Sequence, residues 1–262
     1  AALAVIAAVA LLAFVDLEQT GQRFGYVPDP EGVEDFLAEL EKPTFSSAGK
    51  SAIQNAKGED TFLYRAMYDA HAQKYNTPFK TPKQGIGDCV GFGFAAATYI
   101  ALCVDYETGR IAEPPKMVAT ESIYGGSRVE ARGKTPPVGY RDGSYGAAAA
   151  KWLKNYGVVF RDEVGSHDLT VYSSQRAKRW GNFGNGGEFD FGKLDTIAKR
   201  HPVNHVALVK TWDELSAAIE SGFPVAVCSL AGFSSKRDAE GWASPGGESS
   251  KTWAHCMAFI GV

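Results

Sequence analysis

Two residues of this sequence are placed where they could do chemistry together. Cys89 opens a predicted helix, and His255 lies at the head of a predicted strand. A thiol at a helix N-terminus faces unpaired backbone N–H groups and the positive end of the helix dipole, and both features lower its pKa. A neutral imidazole can accept the proton of such a thiol. The pattern therefore predicts a nucleophilic thiolate–imidazolium pair.

A simpler interpretation treats cysteine as a small apolar residue of the core and histidine as a hydrogen-bonded structural residue. Cys103 lies inside the predicted helix and fits the packing role. Strand alternation places His255 and Met257 on one face and Cys256 on the other, so we expect Cys256 to pack rather than react. The packing interpretation stays open for Cys89 as well.

The composition excludes several classes of protein. The chain has 262 residues, a formal net charge of -3, 45% apolar residues and 22% charged residues. These values are typical of soluble globular proteins, and the weak net charge disfavours nucleic-acid binding. Four cysteines without a C-x-x-C pair argue against a disulfide scaffold. Nothing indicates a cofactor, and no metal site is expected, because Pro202 interrupts the spacing between His201 and His205.

The first 60 residues differ from the rest of the chain. Residues 1–15 form an unbroken apolar run, which indicates a signal or membrane-anchor segment and predicts a membrane-anchored or exported protein. Residues 16–60 are polar and predict a tether with a short amphipathic helix, capped by Asp29 with Pro30 at its first position. Two alternatives stay open: a buried core helix at residues 1–15, and a pro-segment that covers an active site.

The elements that would position Cys89 and His255 lie in residues 61–262. Helical patterns dominate the first half and short apolar runs the second, which predicts an α+β fold with two lobes. The predicted helices cover residues 61–73, 89–106, 145–156 and 212–221. The predicted strands cover residues 206–209, 224–230 and 256–262, and a glycine-rich loop covers residues 180–193.

Four segments, in this order along the chain, resemble the papain-like cysteine peptidases, in particular their divergent bacterial members. They are the loop and helix at residues 84–97, the Asp142-Gly143-Ser144-Tyr145 stretch with the helix after it, the helix that leads into the Gly222-Phe223-Pro224-Val225 strand, and the strand at His255. The resemblance implies a papain-like two-lobed fold, with a helical lobe that carries the nucleophile helix and an antiparallel β-barrel-like lobe. A peptide or a protein would be the substrate.

The resemblance also implies a role for each matching residue. Cys89 would attack the peptide carbonyl, and His255 would act as its general base and then as the acid for the leaving amine. Gln84 would donate its side-chain amide to the oxyanion. Gly143 and Ser144 would pair with the substrate backbone. The Asn or Asp that orients the histidine in this family is not among the seven residues after His255, and we expect it beyond the end of this sequence.

Two other functions stay open. A peptidoglycan amidase of the NlpC kind also places an Asp-Cys-x-Gly-Phe sequence at a helix start, but its histidine strand follows soon after the helix region. A catalytically inactive papain-like module would bind rather than cleave. Turnover of peptidoglycan or casein, and the effect of Cys89→Ala, separate these functions. The sequence carries no signal for the oligomeric state.

Overall fold

The structure is a computed structural model, and it describes residues 25–190, 192–230, 233–239, 243–245 and 254–262. The helices in these residues are α1 (Pro30–Ala38), α2 (Phe45–Ala48), α3 (Lys50–Asn55), α4 (Tyr64–Tyr75), α5 (Cys89–Glu107), α6 (Thr120–Arg128), α7 (Gly146–Tyr156), α8 (Ser174–Phe183), α9 (Gly187–Asp190), α10 (Lys193–Ala198) and α11 (Trp212–Glu220). The strands are β1 (Glu163–Val164), β2 (His167–Asp168), β3 (Val225–Ser229), β4 (Phe233–Arg237), β5 (Ala243–Pro245) and β6 (His255–Phe259).

The strands form antiparallel pairs. β1 pairs with β2, β3 with β6 and β4 with β5. In the β3–β6 pair, Ser229 lies opposite His255 and Cys228 lies opposite Cys256. The mixture of helices and antiparallel strands confirms the predicted α+β class.

Helix α5 is the central element of the fold. Most of its residues are buried, and it packs against α4, α6 and β6. Glycines permit the closest approaches: a Cβ at Gly91 would lie 2.7 Å from the Thr120 carbonyl oxygen, and one at Gly93 would lie 2.8 Å from Cys256 Sγ. In the described part of the chain, α5 is the one helix long and apolar enough to cross a membrane, and 83% of that stretch is buried. We therefore interpret α5 as a core helix.

The helix and strand that lead to the histidine strand follow from local signals. Thr211 caps α11 by accepting a hydrogen bond from the Glu214 N–H at 3.1 Å. After the helix ends, Gly222 adopts a φ of +86°, a conformation that favours glycine. β3 follows and is buried along its whole length. These elements confirm the helix and the strand predicted within residues 212–230.

The predicted tether is wrong for residues 25–60, which belong to the folded domain. The predicted helix is present as α1, with Asp29 as its N-cap and Pro30 in its first turn, but Phe36 on it is buried in the same core as α5. Phe45 is fully buried, and its N–H donates to the Leu208 carbonyl oxygen at 2.8 Å. The polar composition was misleading because these short helices bury only a narrow apolar stripe. Residues 1–24, with the predicted membrane segment, lie outside the described residues.

Two further predictions are wrong. The glycine-rich stretch at residues 180–193 is not a single loop, since it contains the end of α8, all of α9 and the start of α10. Its glycines mark turns at the ends of short helices, and four of them have positive φ: Gly184, Gly186, Gly187 and Gly192. The strand predicted at residues 206–209 is reduced to isolated bridge residues, Val206 and Leu208, and Leu208 bridges in parallel to Thr44. That ladder cannot continue, because α2 begins directly after Thr44.

Candidate active site

Cys89 lies at the first position of α5, against the strand that begins with His255. Its side chain is fully buried. Its sulfur lies 4.0 Å from the Ala254 carbonyl oxygen, and the backbone of Cys256 hydrogen bonds to the thiol. Because Ala254 and Cys256 flank His255, the structure brings the predicted nucleophile to the segment that carries the predicted base.

The protonation states differ from the expected ones. Burial raises the pKa of the Cys89 thiol, and hydrogen bonds from the backbone at Cys256 and Val90 only partly oppose this rise. Burial also lowers the pKa of the His255 imidazole. Both shifts favour the neutral forms. The expectation of a lowered thiol pKa is therefore wrong for this state, because the loss of water outweighs the effect of the helix N-terminus.

The loop before Cys89 is held in part by Gln84, the predicted oxyanion donor. Gln84 Nε2 donates to the Ile86 carbonyl oxygen at 2.6 Å, and the Asp88 N–H donates to the same oxygen at 2.8 Å. The structure thus gives Gln84 a role in shaping the loop that leads to the nucleophile.

Asp88 and Tyr172 connect this loop to a distant part of the chain. The Tyr172 hydroxyl donates to Asp88 Oδ2 at 2.8 Å and accepts from the Gly85 N–H at 3.2 Å. Asp88 is fully buried. Burial raises the pKa of its carboxyl group to about 7, and the carboxylates of Glu121 and Asp142 add to the rise. The residue before the nucleophile is therefore an acid that titrates near neutral pH.

A buried arginine hydrogen bonds to the backbone at and near the predicted substrate-binding residues. Arg128 on α6 donates to three backbone carbonyl oxygens, those of Gly139, Gly143 and Gly181. Ser144 is fully buried, and its hydroxyl hydrogen bonds to the hydroxyl of Ser127. These contacts fix the backbone at Gly143 and Ser144 in one position.

Direct hydrogen bonds join the Ser144 stretch to the loop before Cys89. The Gly143 N–H donates to the Gly87 carbonyl oxygen at 3.0 Å, and the Gly87 N–H donates to Asp142 Oδ2 at 3.2 Å. The two stretches that the sequence assigned to nucleophile and substrate therefore form one continuous backbone surface.

The chain's own residues 25–27 lie on this surface. The Ser144 N–H donates to the Gly25 carbonyl oxygen at 2.7 Å, and the Val27 N–H donates to the Ser144 carbonyl oxygen at 2.8 Å. The Tyr26 N–H donates at 3.0 Å to the Ala254 carbonyl oxygen, the same oxygen that the Cys89 sulfur contacts. We call residues 25–27 the inserted segment, because they lie between Ser144 and Ala254.

The inserted segment fits closely. Gly25 has a φ of +114°, and a Cβ there would lie 2.0 Å from the Gly87 carbonyl oxygen. On the opposite side, a Cβ at Gly143 would lie 2.9 Å from Val27 Cγ2. Tyr26 is only 9% exposed, and burial raises the pKa of its hydroxyl. The site therefore holds an extended peptide main chain through backbone hydrogen bonds and permits no side chain at Gly25.

Three parts of this site were not predicted from the sequence: Arg128, Tyr172 and the inserted segment. Each acts on groups far away along the chain, so no local period marks it. The available signal was glycine, since Gly25 and Gly143 have positive φ and face close neighbours.

No family model, no curated protein and no solved structure matches the chain. The function is therefore inferred from the geometry of this site.

Proposed function

We propose that the chain is a cysteine peptidase of papain-like, two-lobed fold, which hydrolyses peptide bonds through Cys89 and His255 and is kept latent by its inserted segment. The position of that segment carries the proposal. An extended main chain lies between Ser144 and Ala254, hydrogen bonded on both sides, beside the Cys89 sulfur. A site that seats one peptide backbone against a thiol is suited to a peptide substrate.

Departure of the inserted segment returns water to the thiol and the imidazole. Burial is the largest cause of both pKa shifts, so rehydration lowers the pKa of Cys89 and raises that of His255. The helix N-terminus and the backbone hydrogen bond at Cys256 then favour the thiolate. Proton transfer from Cys89 to His255 therefore belongs to the open form.

In the open form, Cys89 Sγ attacks the substrate carbonyl carbon, and His255 passes the proton it has accepted to the leaving amine. The oxyanion receives a hydrogen bond from the Cys89 N–H, which has no acceptor within the helix because it lies at the first helical position. The Gln84 side-chain amide, which the resemblance to papain-like peptidases assigns to the oxyanion, is the other donor. Water activated by His255 then hydrolyses the thioester.

The order of segments supports a link between latency and the membrane. Residues 1–15, the proposed anchor or signal, precede the inserted segment in the chain. Proteolytic cleavage just after residue 27 would separate the rest of the folded domain from the apolar segment and from the inserted segment in one step. We therefore expect activation and release from a membrane to accompany each other.

The test compares hydrolysis of dye-labelled casein by the full chain and by a variant that begins at Pro28. We expect at least about 100-fold more turnover from the shorter variant, because three backbone hydrogen bonds of about 1 kcal/mol each no longer cover the site. Cys89→Ala should abolish turnover in both, and Cys103→Ala, on the same helix, should leave it unchanged. Equal turnover by the Cys89→Ala variant would contradict the proposal.

The same assay separates the alternative functions. Cleavage of labelled peptidoglycan without cleavage of casein would assign the site to an amidase of the NlpC kind. Binding of a peptide by the shorter variant, without turnover of either substrate, would assign it to an inactive module.

A further inference from the structure

We infer that Cys228 and Cys256 form a disulfide bond next to the candidate active site under oxidising conditions. The two residues lie directly opposite each other in the β3–β6 pair. Both are buried, and their sulfur atoms lie 2.7 Å apart. The two side chains therefore point at each other from adjacent strands, which the spacing of the cysteines in the sequence did not indicate.

The type of strand pair favours this bond. In an antiparallel ladder, opposite residues alternate between hydrogen-bonded and non-hydrogen-bonded pairs, and the latter have Cα atoms about 4.5 Å apart. The backbone groups of Ala254 and Cys256 are directed away from β3, because Ala254 accepts from Tyr26 and Cys256 bonds to the Cys89 thiol. Cys228 and Cys256 therefore form a non-hydrogen-bonded pair, within the Cα separation of about 4.4–6.8 Å that disulfides require.

The surrounding residues keep the two sulfurs together. A Cβ at Gly93 would lie 2.8 Å from Cys256 Sγ, so α5 closes one side of the pair. Tyr26 of the inserted segment lies beside the same strand, since its N–H donates to the Ala254 carbonyl oxygen at 3.0 Å. The close packing of α5 against Cys256 keeps its sulfur beside that of Cys228.

The bond forms by exchange with a small-molecule disulfide such as oxidised glutathione. One protein thiolate attacks that disulfide and releases one small thiol, and the second protein thiolate attacks the mixed disulfide and releases the other. Two protein thiols are oxidised, one small disulfide is reduced to two thiols, and the two protons of the protein thiols leave on those products. Because both sulfurs are buried, the exchange takes place during folding or local opening of the strands.

The disulfide would fix the strand that carries His255. It joins β3 to the residue after His255, so it maintains the register in which His255 lies opposite Ser229. Export, which belongs to the proposed function, would place the protein under oxidising conditions. The disulfide can be tested independently of that function, because the number of free thiols can be measured without any activity.

The test uses the full wild-type chain, refolded from urea in reduced or in oxidised glutathione, then denatured and alkylated with N-ethylmaleimide. Intact mass should show four adducts after reduction, one for each cysteine, and two after oxidation. Trypsin should then release a reducible species that joins the peptide ending at Lys236 to the peptide beginning at Thr252.

Cys103→Ala is the matched control and should keep the linked peptides, whereas Cys228→Ala should lose them. The oxidised wild-type chain should also melt roughly 5 °C or more above the reduced chain, and Cys228→Ala should abolish that difference. Four adducts after oxidation, or a linked species that contains Cys89, would overturn the inference.

Discussion

Cys89 and Cys103 lie on the same helix and are equally buried, but different structures cover them. Both side chains are fully buried, and burial raises the pKa of both thiols, to about 12 for Cys103. Cys103 lies in the helix interior beside Tyr99, whose hydroxyl is 3.2 Å from His71 Nδ1 on α4. Cys89 lies at the helix end, beside Ala254 and the inserted segment.

This difference shows that burial alone does not identify an inert thiol. Exposing Cys103 requires α4 and α5 to separate, which disrupts the core. Under the proposed function, Cys89 becomes exposed when the inserted segment leaves its three backbone hydrogen bonds. The rates at which the two thiols react therefore report two different openings of the same protein.

Removal of the inserted segment should produce the largest change in the difference between the alkylation rates of Cys89 and Cys103. In a variant that begins at Pro28, iodoacetamide should label Cys89 about 100-fold faster at pH 8, since about 3 kcal/mol of hydrogen bonding is lost. Cys103 should keep its slow rate. Peptide mass spectrometry after a timed pulse measures both rates. Equal acceleration of the two thiols would indicate general loosening of the fold and would remove the distinction between them.

Gly25→Val tests the same opening in the full-length chain. A Cβ at position 25 meets the Gly87 carbonyl oxygen at 2.0 Å, so the segment must shift, and Cys89 should label about 10-fold faster as part of the hydrogen bonding is lost. Gly58→Val is the matched control, because Gly58 also has a positive φ, +71°, but its Cβ would meet nothing within 4 Å. The same acceleration in both variants would attribute the effect to backbone strain rather than to the contact at Gly87.

Much of the frame around Cys89 could be predicted because its signals are local. α5, α7, α11 and β3 follow from runs of apolar residues, with a capping threonine at α11 and glycines after α7 and α11. The inserted segment could not be predicted in this way. Its two partners, Ser144 and Ala254, lie far along the chain, and a three-residue stretch carries no period of its own.

Helix α6, which carries Arg128, was missed because tertiary packing overrides its poor helix propensity. Gly125 and Gly126 are weak helix formers, but a Cβ at Gly125 would lie 2.5 Å from Asn185 Oδ1 and one at Gly126 would lie 2.3 Å from the Trp152 ring. Close packing selects glycine here against the local preference. Local sequence patterns therefore could not predict α6, the helix whose Arg128 holds the Ser144 stretch.

Arg128→Lys should weaken the surface on which the inserted segment lies, with a smaller effect. A lysine ammonium cannot reproduce the fixed fork with which Arg128 reaches its three carbonyl oxygens. We expect Cys89 to label about threefold faster. Arg110→Lys, which alters the 2.7 Å ion pair with Asp105 near the Cys103 end of α5, should leave Cys89 unchanged. An unchanged rate in Arg128→Lys would show that the Ser144 backbone keeps its position without the guanidinium.

Asp88→Asn should change Cys89 labelling least, because one neighbouring charge is a minor cause of the raised thiol pKa. We expect a rise of about twofold at pH 8, where the wild-type carboxylate is ionised. Tyr172→Phe removes the hydroxyl that donates to Asp88 and lowers its pKa, so part of the carboxylate takes up a proton at pH 8 and labelling should rise by less than in Asp88→Asn.

The pH dependence of the free energy of unfolding also tests the charge of Asp88, and the direction of the change can be predicted. The pKa of Asp88 is about 7 in the fold against an ordinary 3.8, so between these values the folded chain keeps a proton that the unfolded chain has released. The stabilisation by the protonated carboxyl is complete below about pH 4 and is lost as the pH rises to about 7. Urea midpoints of the wild type and Asp88→Asn should therefore diverge over this range, with the variant more stable at pH 8. A constant difference would mean that the pKa of Asp88 is the same in the folded and the unfolded chain, and it would contradict the raised pKa.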